Sequence, residues 1–228
     1  MSRLSSEVSA SLMCMDFLRL DEELQTLLAA GITRLHLDFG DGHFVPNLIL
    51  GIEALQLVGH RTGFRVESHL MIDEPCRMLQ LFSRVSRHII FHVEATSDPV
   101  ECIRRIRAEG GSPGVAIKPA TPAASLIPIL DRVDSVLVMT VEPGFAGNPF
   151  IPDMIGKVKQ LRGELDTRNP YADLVVDGAI NERTIPLLST AGANVFVGGS
   201  SGLFTGGDLA RQAHQMTSLV HRARCMAQ

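Results

Sequence analysis

The chain has no tryptophan, one tyrosine and only 5% aromatic residues, which argues against an aromatic-studded β-sandwich and for an aliphatic α/β interior. Long apolar runs are also missing. None approaches the roughly 20 residues that cross a bilayer, and the opening stretch, with no long apolar core, fits neither a signal peptide nor a transit peptide. Charge of one sign never collects: the net charge is −4 with Lys and Arg scattered, so there is no electrostatic footprint for nucleic acid or an anionic membrane. A small soluble ligand is expected instead. Cysteines number four and form no C-x-x-C pair; they read as four separate reduced thiols, which points to the cytoplasm.

What the sequence does have is alternation. Short β-rich runs and longer amphipathic segments follow one another without an intervening linker, as repeated βα units do. Strands are expected near Val8–Met13, Arg34–Phe39, Arg65–Leu70, His88–Val93, Pro113–Lys118, Ser135–Thr140, Ala172–Asp177 and Asn194–Gly198. A helix candidate follows each. Phe17–Ala30 places Phe17, Leu20, Leu24, Leu27 and Leu28 near one face, with Gly31 as a stop; Pro149–Leu161, Asn181–Ala191 and Asp208–Arg224 follow the same logic. An open doubly wound sheet shows the same alternation. The polar residues favour a (β/α)8 TIM barrel occupying 1–228 as one domain, because His36, Asp38, His69, His92, Lys118 and Asp177 fall at the C-terminal ends of strands, where barrel enzymes gather their catalytic groups.

His36 and Asp38 are two apart on a strand, so both point to one side. Alone, such a pair on a strand is more often a hydrogen-bonded structural pair than a metal site. His69 and Asp177 each end another apolar strand and would complete a set of two imidazoles and two carboxylates, which suits zinc, iron(II), manganese or cobalt better than calcium. Asp38 and Asp177, on strands two and seven, could face each other across a substrate and move a proton from one face to the other. Glycines follow the last three strands: Pro143–Gly147, Gly178 and Gly198–Ser201. That is the part of a barrel that commonly holds phosphate on backbone N–H groups. His43 and Asp41 read as loop-ordering groups, and His92 and Glu94 as packing and hydrogen-bonding groups below the site.

Several motifs then carry a resemblance: Ser11-Leu12, HLDFGDGHFVPN at 36–47, SHLM at 68–71, PATP at 119–122, VMTVEPGFAGNPFIPDM at 138–154, VVDG at 175–178 and GGSSGLF at 198–204. Over nearly its whole length the chain resembles the ribulose-phosphate 3-epimerase family. SLMCMD at 11–16, the PFIPDM ending and SSGLF look most like the branch that acts on D-allulose 6-phosphate. The resemblance implies His36, Asp38, His69 and Asp177 as ligands of one divalent metal, with Asp38 and Asp177 as the acid/base pair. It implies substrate contacts at Ser11, His69, Met71 and Met139, and a phosphate cradle of Gly144, Phe145, Ala146, Gly147, Gly178, Gly199 and Ser200. It also implies a ketose phosphate substrate and a homo-oligomer.

The chain departs from the family at four positions. Gly40 stands where Met is usual and is expected to leave room for a longer sugar; Ala179 replaces a common Gly, and Lys118 and Glu142 replace Asn or Asp. Two other functions remain open at this point. Lys118 ends strand five and could form a Schiff base in an aldolase, and a barrel that binds a phosphosugar without turning it over would share the same loops.

Overall fold

The computed structural model describes residues 4–227. Eight parallel strands close on themselves: β1 (Glu7–Ser11), β2 (Arg34–Asp41), β4 (Arg65–Met71), β5 (His88–His92), β6 (Ser112–Ile117), β7 (Ser135–Met139), β8 (Asp173–Asp177) and β9 (Val195–Gly198). Closure comes from β1, which pairs with β2 on one side and β9 on the other. The two-residue β3 (Leu48–Ile49) folds back antiparallel on the end of β2, pairing Ile49 with Gly40 and Leu48 with Asp41. This is a (β/α)8 TIM barrel, as the placement of the polar residues predicts, and not an open sheet.

Two apolar layers hold it. Outside the strands, Leu35, Leu37, Phe91, Val115, Val136, Val138, Leu174, Val176 and Phe196 pack against the helices. Inside, Ile90, Ala116, Leu137, Met139, Val175, Val195 and Val197 fill the barrel. Buried on both faces, the strands are near-continuous β-branched and Leu runs.

The helical ring is α1 (Leu20–Ala29), α2 (Ile52–Val58), α3 (Leu79–Ser83), α4 (Pro99–Ala108), α5 (Met154–Arg168), α6 (Thr184–Thr190) and α7 (Leu209–Ala227). Between β6 and β7 a ten-residue 3-10 helix, Ala123–Arg132, takes the place of an α-helix. Pro128 lies inside it, where an α-helix would lose a hydrogen bond and meet a clash. Its buried Ala123, Leu126 and Ile129 recur every three residues, the period of the tighter helix.

Several boundaries differ from expectation. Strand β1 stops at Ser11, and Leu12–Cys14 is a 3-10 turn. Phe17 is not on the core face: it starts a second short 3-10 turn, Phe17–Arg19, capped by Asp16 accepting from the Leu18 N–H, and is 43% exposed. Helix α5 begins five residues after Pro149, because the Ile151 N–H is tied to the Thr140 carbonyl at 2.9 Å. Asn181 does not open α6; its Oδ1 accepts from the N–H groups of Arg183 and Thr184 and turns the chain just before it. In α7, Ala213, Met216 and Val220 are buried as barrel packing.

The cysteine expectation is corrected for one pair. Cys76, in the turn after β4, and Cys102, on α4, form a disulfide with Cα atoms 5.2 Å apart. A separation of 26 residues carries no local signature; only the packing of successive βα units brings the two within bonding range. Cys14 and Cys225 are free thiols.

Candidate active site

Strand register builds the site from the floor upward. Neighbouring parallel strands set Ser11 beside His36, His36 beside Glu67, Asp38 beside His69, and Met139 beside Asp177. At the floor, Arg34 donates from Nε to Glu67 and from an Nη to Asp173, both at 2.7 Å. His88 lies 2.8 Å from the Ser135 hydroxyl in the same layer. Glu67 also accepts from the Ser9 hydroxyl at 2.7 Å and lies 2.8 Å from His36 Nδ1. The Arg34 guanidinium and the His36 contact overcome burial and hold the Glu67 carboxyl well below its usual range. An ionised Glu67 can only accept, so His36 Nδ1 carries a proton toward it, and Nε2 faces the cluster above.

Above this layer four side chains converge. One ligand atom from each of His36, Asp38, His69 and Asp177 lies within 4.8 Å of the others. His36 Nε2 is 3.3 Å from Asp38 and 3.7 Å from Asp177; His69 Nδ1 is 2.9 and 3.8 Å from the same two carboxylates. The two acids differ sharply. Burial and the adjacent Asp38 carboxylate push Asp177 up to about 6. For Asp38 burial works the same way, but His36 and His69 outweigh it and hold the carboxyl well below the usual range. His36 is raised well above the ordinary imidazole value, with Asp38 overcoming the effect of burial. Two imidazoles, a buried carboxylate and a half-buried one form a donor set that fits a divalent cation, whose charge would offset the repulsion between the two acids.

The cluster opens into one cavity at the barrel mouth. Ser11, Asp38, Met71, Met139 and Asp177 line its depth, and Gly144, Phe145, Ala146, Gly147, Gly178, Gly199 and Ser200 line its rim. Ser11 donates to Asp38 at 3.2 Å. The Gly178 backbone has φ +108°, and a side chain there would run into Val141. After β9 the N–H groups of Gly202, Leu203 and Phe204 all return to the Gly199 carbonyl, so the rim there is a tight turn and not the start of a helix.

Gly40 does not open space, and that expectation is overturned. A Cβ on it would lie 2.9 Å from the Asn47 carbonyl and 3.0 Å from both Ile49 and Val45. The β2–β3 hairpin has folded into the room, and the wall of the cavity is Ile49 and Met71, packed with Val45. Ala179 sits beside the rim in left-handed backbone, φ +50°, a conformation in which glycine has no steric cost. Lys118 does not line the cavity. Its Nζ donates to the Phe44 carbonyl at 3.1 Å and lies 3.5 Å above the Phe44 ring. Asp41 does order its loop, accepting from the N–H groups of His43, Phe44 and Asp73.

The sequence reading passes over Glu67, although Glu67 and His69 repeat on β4 the two-apart signature of His36 and Asp38 on β2. It also passes over Met13, Cys14 and Ile49, which line the cavity. The first two lie two and three residues after Ser11 and could have been found from that. Ile49 could not, since only the hairpin's fold-back brings it there.

Residues 7–204 match the ribulose-phosphate 3 epimerase family. The chain is 40% identical over 195 residues to a ribulose-phosphate 3-epimerase of Methanocaldococcus jannaschii, with 86% of this chain and 83% of the relative covered. It is 38% identical to one of Mycobacterium bovis, covering 85% and 84%. To a rice protein described as the cytoplasmic isoform of ribulose-phosphate 3-epimerase it is 37% identical, covering 86% and 87%. Among solved structures, 3-hexulose-6-phosphate synthase from Salmonella typhimurium superimposes with a TM-score of 0.68 at 15% identity, covering 95% of this chain and 99% of that one, which speaks to the fold alone. With this match, the barrel and its mouth accounted for, the chain belongs to the ribulose-phosphate 3-epimerase family, isomerases that act on carbohydrates.

Proposed function

We propose that the protein is a metal-dependent 3-epimerase of a ketose phosphate, interconverting D-ribulose 5-phosphate with D-xylulose 5-phosphate, or D-allulose 6-phosphate with D-fructose 6-phosphate. The observation that carries this reading is geometric: His36, Asp38, His69 and Asp177 bring one ligand atom each within 4.8 Å of the others, and both carboxylates line the cavity at the barrel mouth.

Asp38 removes the proton from C3, next to the carbonyl, and Asp177 returns one from the opposite face, inverting that carbon. Ser11, donating to Asp38, holds the base in place. Met71 and Met139 offer soft apolar walls beside the reacting carbon and keep water from it. Gly144–Gly147, Gly178 and Gly199–Ser200 hold the phosphate on the rim, which sets the distance from phosphate to C3. His36, Asp38, His69 and Asp177 would hold the cation, which supplies Lewis-acid stabilisation of negative charge on the enediolate oxygens. Zinc, iron(II), manganese and cobalt all suit the donor set. The SLMCMD and PFIPDM resemblances support the hexulose pair, and the names of the curated relatives support the pentulose pair. A homo-oligomer is inferred from the family. A cytoplasmic setting rests on the rice relative's description alone, since the disulfide withdraws part of the cysteine argument.

Proton NMR in D2O with each sugar in turn tests the reading. Deuterium should enter C3 as the C3 epimer forms, stop on chelation, return with added divalent cation, and fall by roughly 10²–10⁴-fold in Asp177→Asn. No exchange with either sugar would refute it, and chelation-insensitive turnover with borohydride trapping at Lys118 would replace it with the aldolase.

A further inference from the structure

The two imidazoles of the cluster are supported differently. His36 leans on Glu67 directly. His69 presents Nδ1 to the cluster, 2.9 Å from Asp38 and 3.3 Å from His36, and turns Nε2 away to another imidazole, His92 Nε2, at 3.0 Å. His92 Nδ1 then lies 3.2 Å from Glu94 Oε2. The other Glu94 oxygen accepts the Lys118 N–H at 2.8 Å and the Thr121 hydroxyl. The line therefore runs from the cluster through two buried rings to a carboxylate anchored at the end of β6.

The line has little room to swing. The His92 ring centroid is 5.1 Å from that of His69 and 4.8 Å from that of Phe44, and the Lys118 Nζ lies 3.5 Å from the Phe44 ring centroid. Three N–H bonds from Lys157 Nζ, to the carbonyls of Lys118, Pro119 and Thr121, brace the turn that holds Glu94.

We propose that Glu94, acting through His92, is a positioning residue that fixes the imidazole proton of His69 on Nε2 and so leaves Nδ1 free to hold the cation. The inference rests on the metal-site reading above. A carboxylate only accepts, so His92 must place its proton on Nδ1 toward Glu94; its Nε2 is then an acceptor, and the hydrogen between the rings must belong to His69, whose Nδ1 gives up its own contact with Asp38, 2.9 Å away, when a cation is held between them. The reverse order would set the His92 Nδ1 lone pair against the Glu94 carboxylate, acceptor against acceptor. Orientation of a metal-binding imidazole through its second nitrogen is a general device; here it is passed through an additional histidine.

Glu94→Gln reverses the end of the line. The Lys118 N–H keeps the amide oxygen on its side, and the amide nitrogen then donates to His92 Nδ1, which sends the His92 proton to Nε2 and against His69. The test uses zinc as the probe, with affinity measured by chelator competition and tautomers read from long-range proton–nitrogen NMR of histidine-labelled protein. The unmodified zinc-loaded protein should show His69 protonated on Nε2 and His92 on Nδ1, and Glu94→Gln should bind zinc roughly 10–100-fold more weakly. Zinc bound with His92 protonated on Nε2, or unchanged affinity in a folded Glu94→Gln, overturns the proposal alone. Failure of the unmodified protein to bind zinc overturns the metal-site reading and the proposal together. Should the variant not fold, the tautomers of the unmodified protein decide the matter.

Discussion

His88 shows how much a single residue of the floor can govern. Its ring lies 3.5 Å from both Arg34 Nη and Glu67 Oε2 and 2.8 Å from the Ser135 hydroxyl. Burial lowers its pKa to about 4, with the Arg34 charge adding to the effect and Glu67 opposing it. In the unfolded chain an imidazole protonates near 6.5, so between about 6.5 and about 4 the unfolded state binds a proton that the folded state refuses. Stability contributed by neutral His88 is therefore complete above about pH 6.5, declines as the pH falls, and is gone below about 4. The loss should be on the order of 3 kcal/mol. Urea unfolding across that range should show it, and His88→Gln should flatten the slope; an equal slope in the variant would mean that the proton goes elsewhere. Residue identity at the cluster was readable in advance because its signal is local: a histidine or aspartate closing an apolar strand contributes little to packing there. The floor was not, because Arg34, Glu67, His88 and Asp173 become one layer only when four strands take their register.

At the scale of the element, the β2–β3 hairpin is where an inference from composition failed. A glycine in place of a methionine suggests a gap, yet a gap beside a hairpin is filled by the hairpin, and a Cβ on Gly40 would meet Val45, Asn47 and Ile49 at 2.9–3.0 Å. Gly40→Ala should therefore cost about 1–3 kcal/mol and loosen the Ile49 and Met71 wall, and Gly40→Met should cost more. Denaturation midpoints check this; a Gly40→Met protein as stable as the parent, with altered sugar preference, would restore the idea of a gap. The 3-10 crossover makes the complementary point. Pro122, Pro128 and the spacing of Ala123, Leu126 and Ile129 were all visible in the sequence, but a pattern sought at the α-helical period blends into a general helix candidate. The eight barrel strands were plain because each is buried on both faces, whereas the half-exposed β3 was not, and the start of α6 turns on two backbone N–H bonds to the Asn181 side chain.

At the scale of the whole molecule, the Cys76–Cys102 bond closes a loop spanning α3, β5 and the start of α4. A loop of this size contributes about 3 kcal/mol by constraining the unfolded chain. Thiol titration of the denatured, unreduced protein should count two groups from Cys14 and Cys225, and reduction should lower the denaturation midpoint by a corresponding amount; four reactive thiols before reduction would remove the bond from the account. The barrel itself is closed by β1 and carries a fully paired ring, with the unpaired edge confined to the short β3, whose Leu48 is 79% exposed. One paired ring and one ionic floor leave the site open at a single end.

That floor, with Arg34 braced between Glu67 and Asp173, turns the barrel into a vessel with one doorway. Arriving and departing sugars of the same mass and charge must share it, and neither can follow the other through. Congestion is then set by the ratio of the two epimers outside, so the direction of net flow belongs to the surroundings and the protein only shortens the wait.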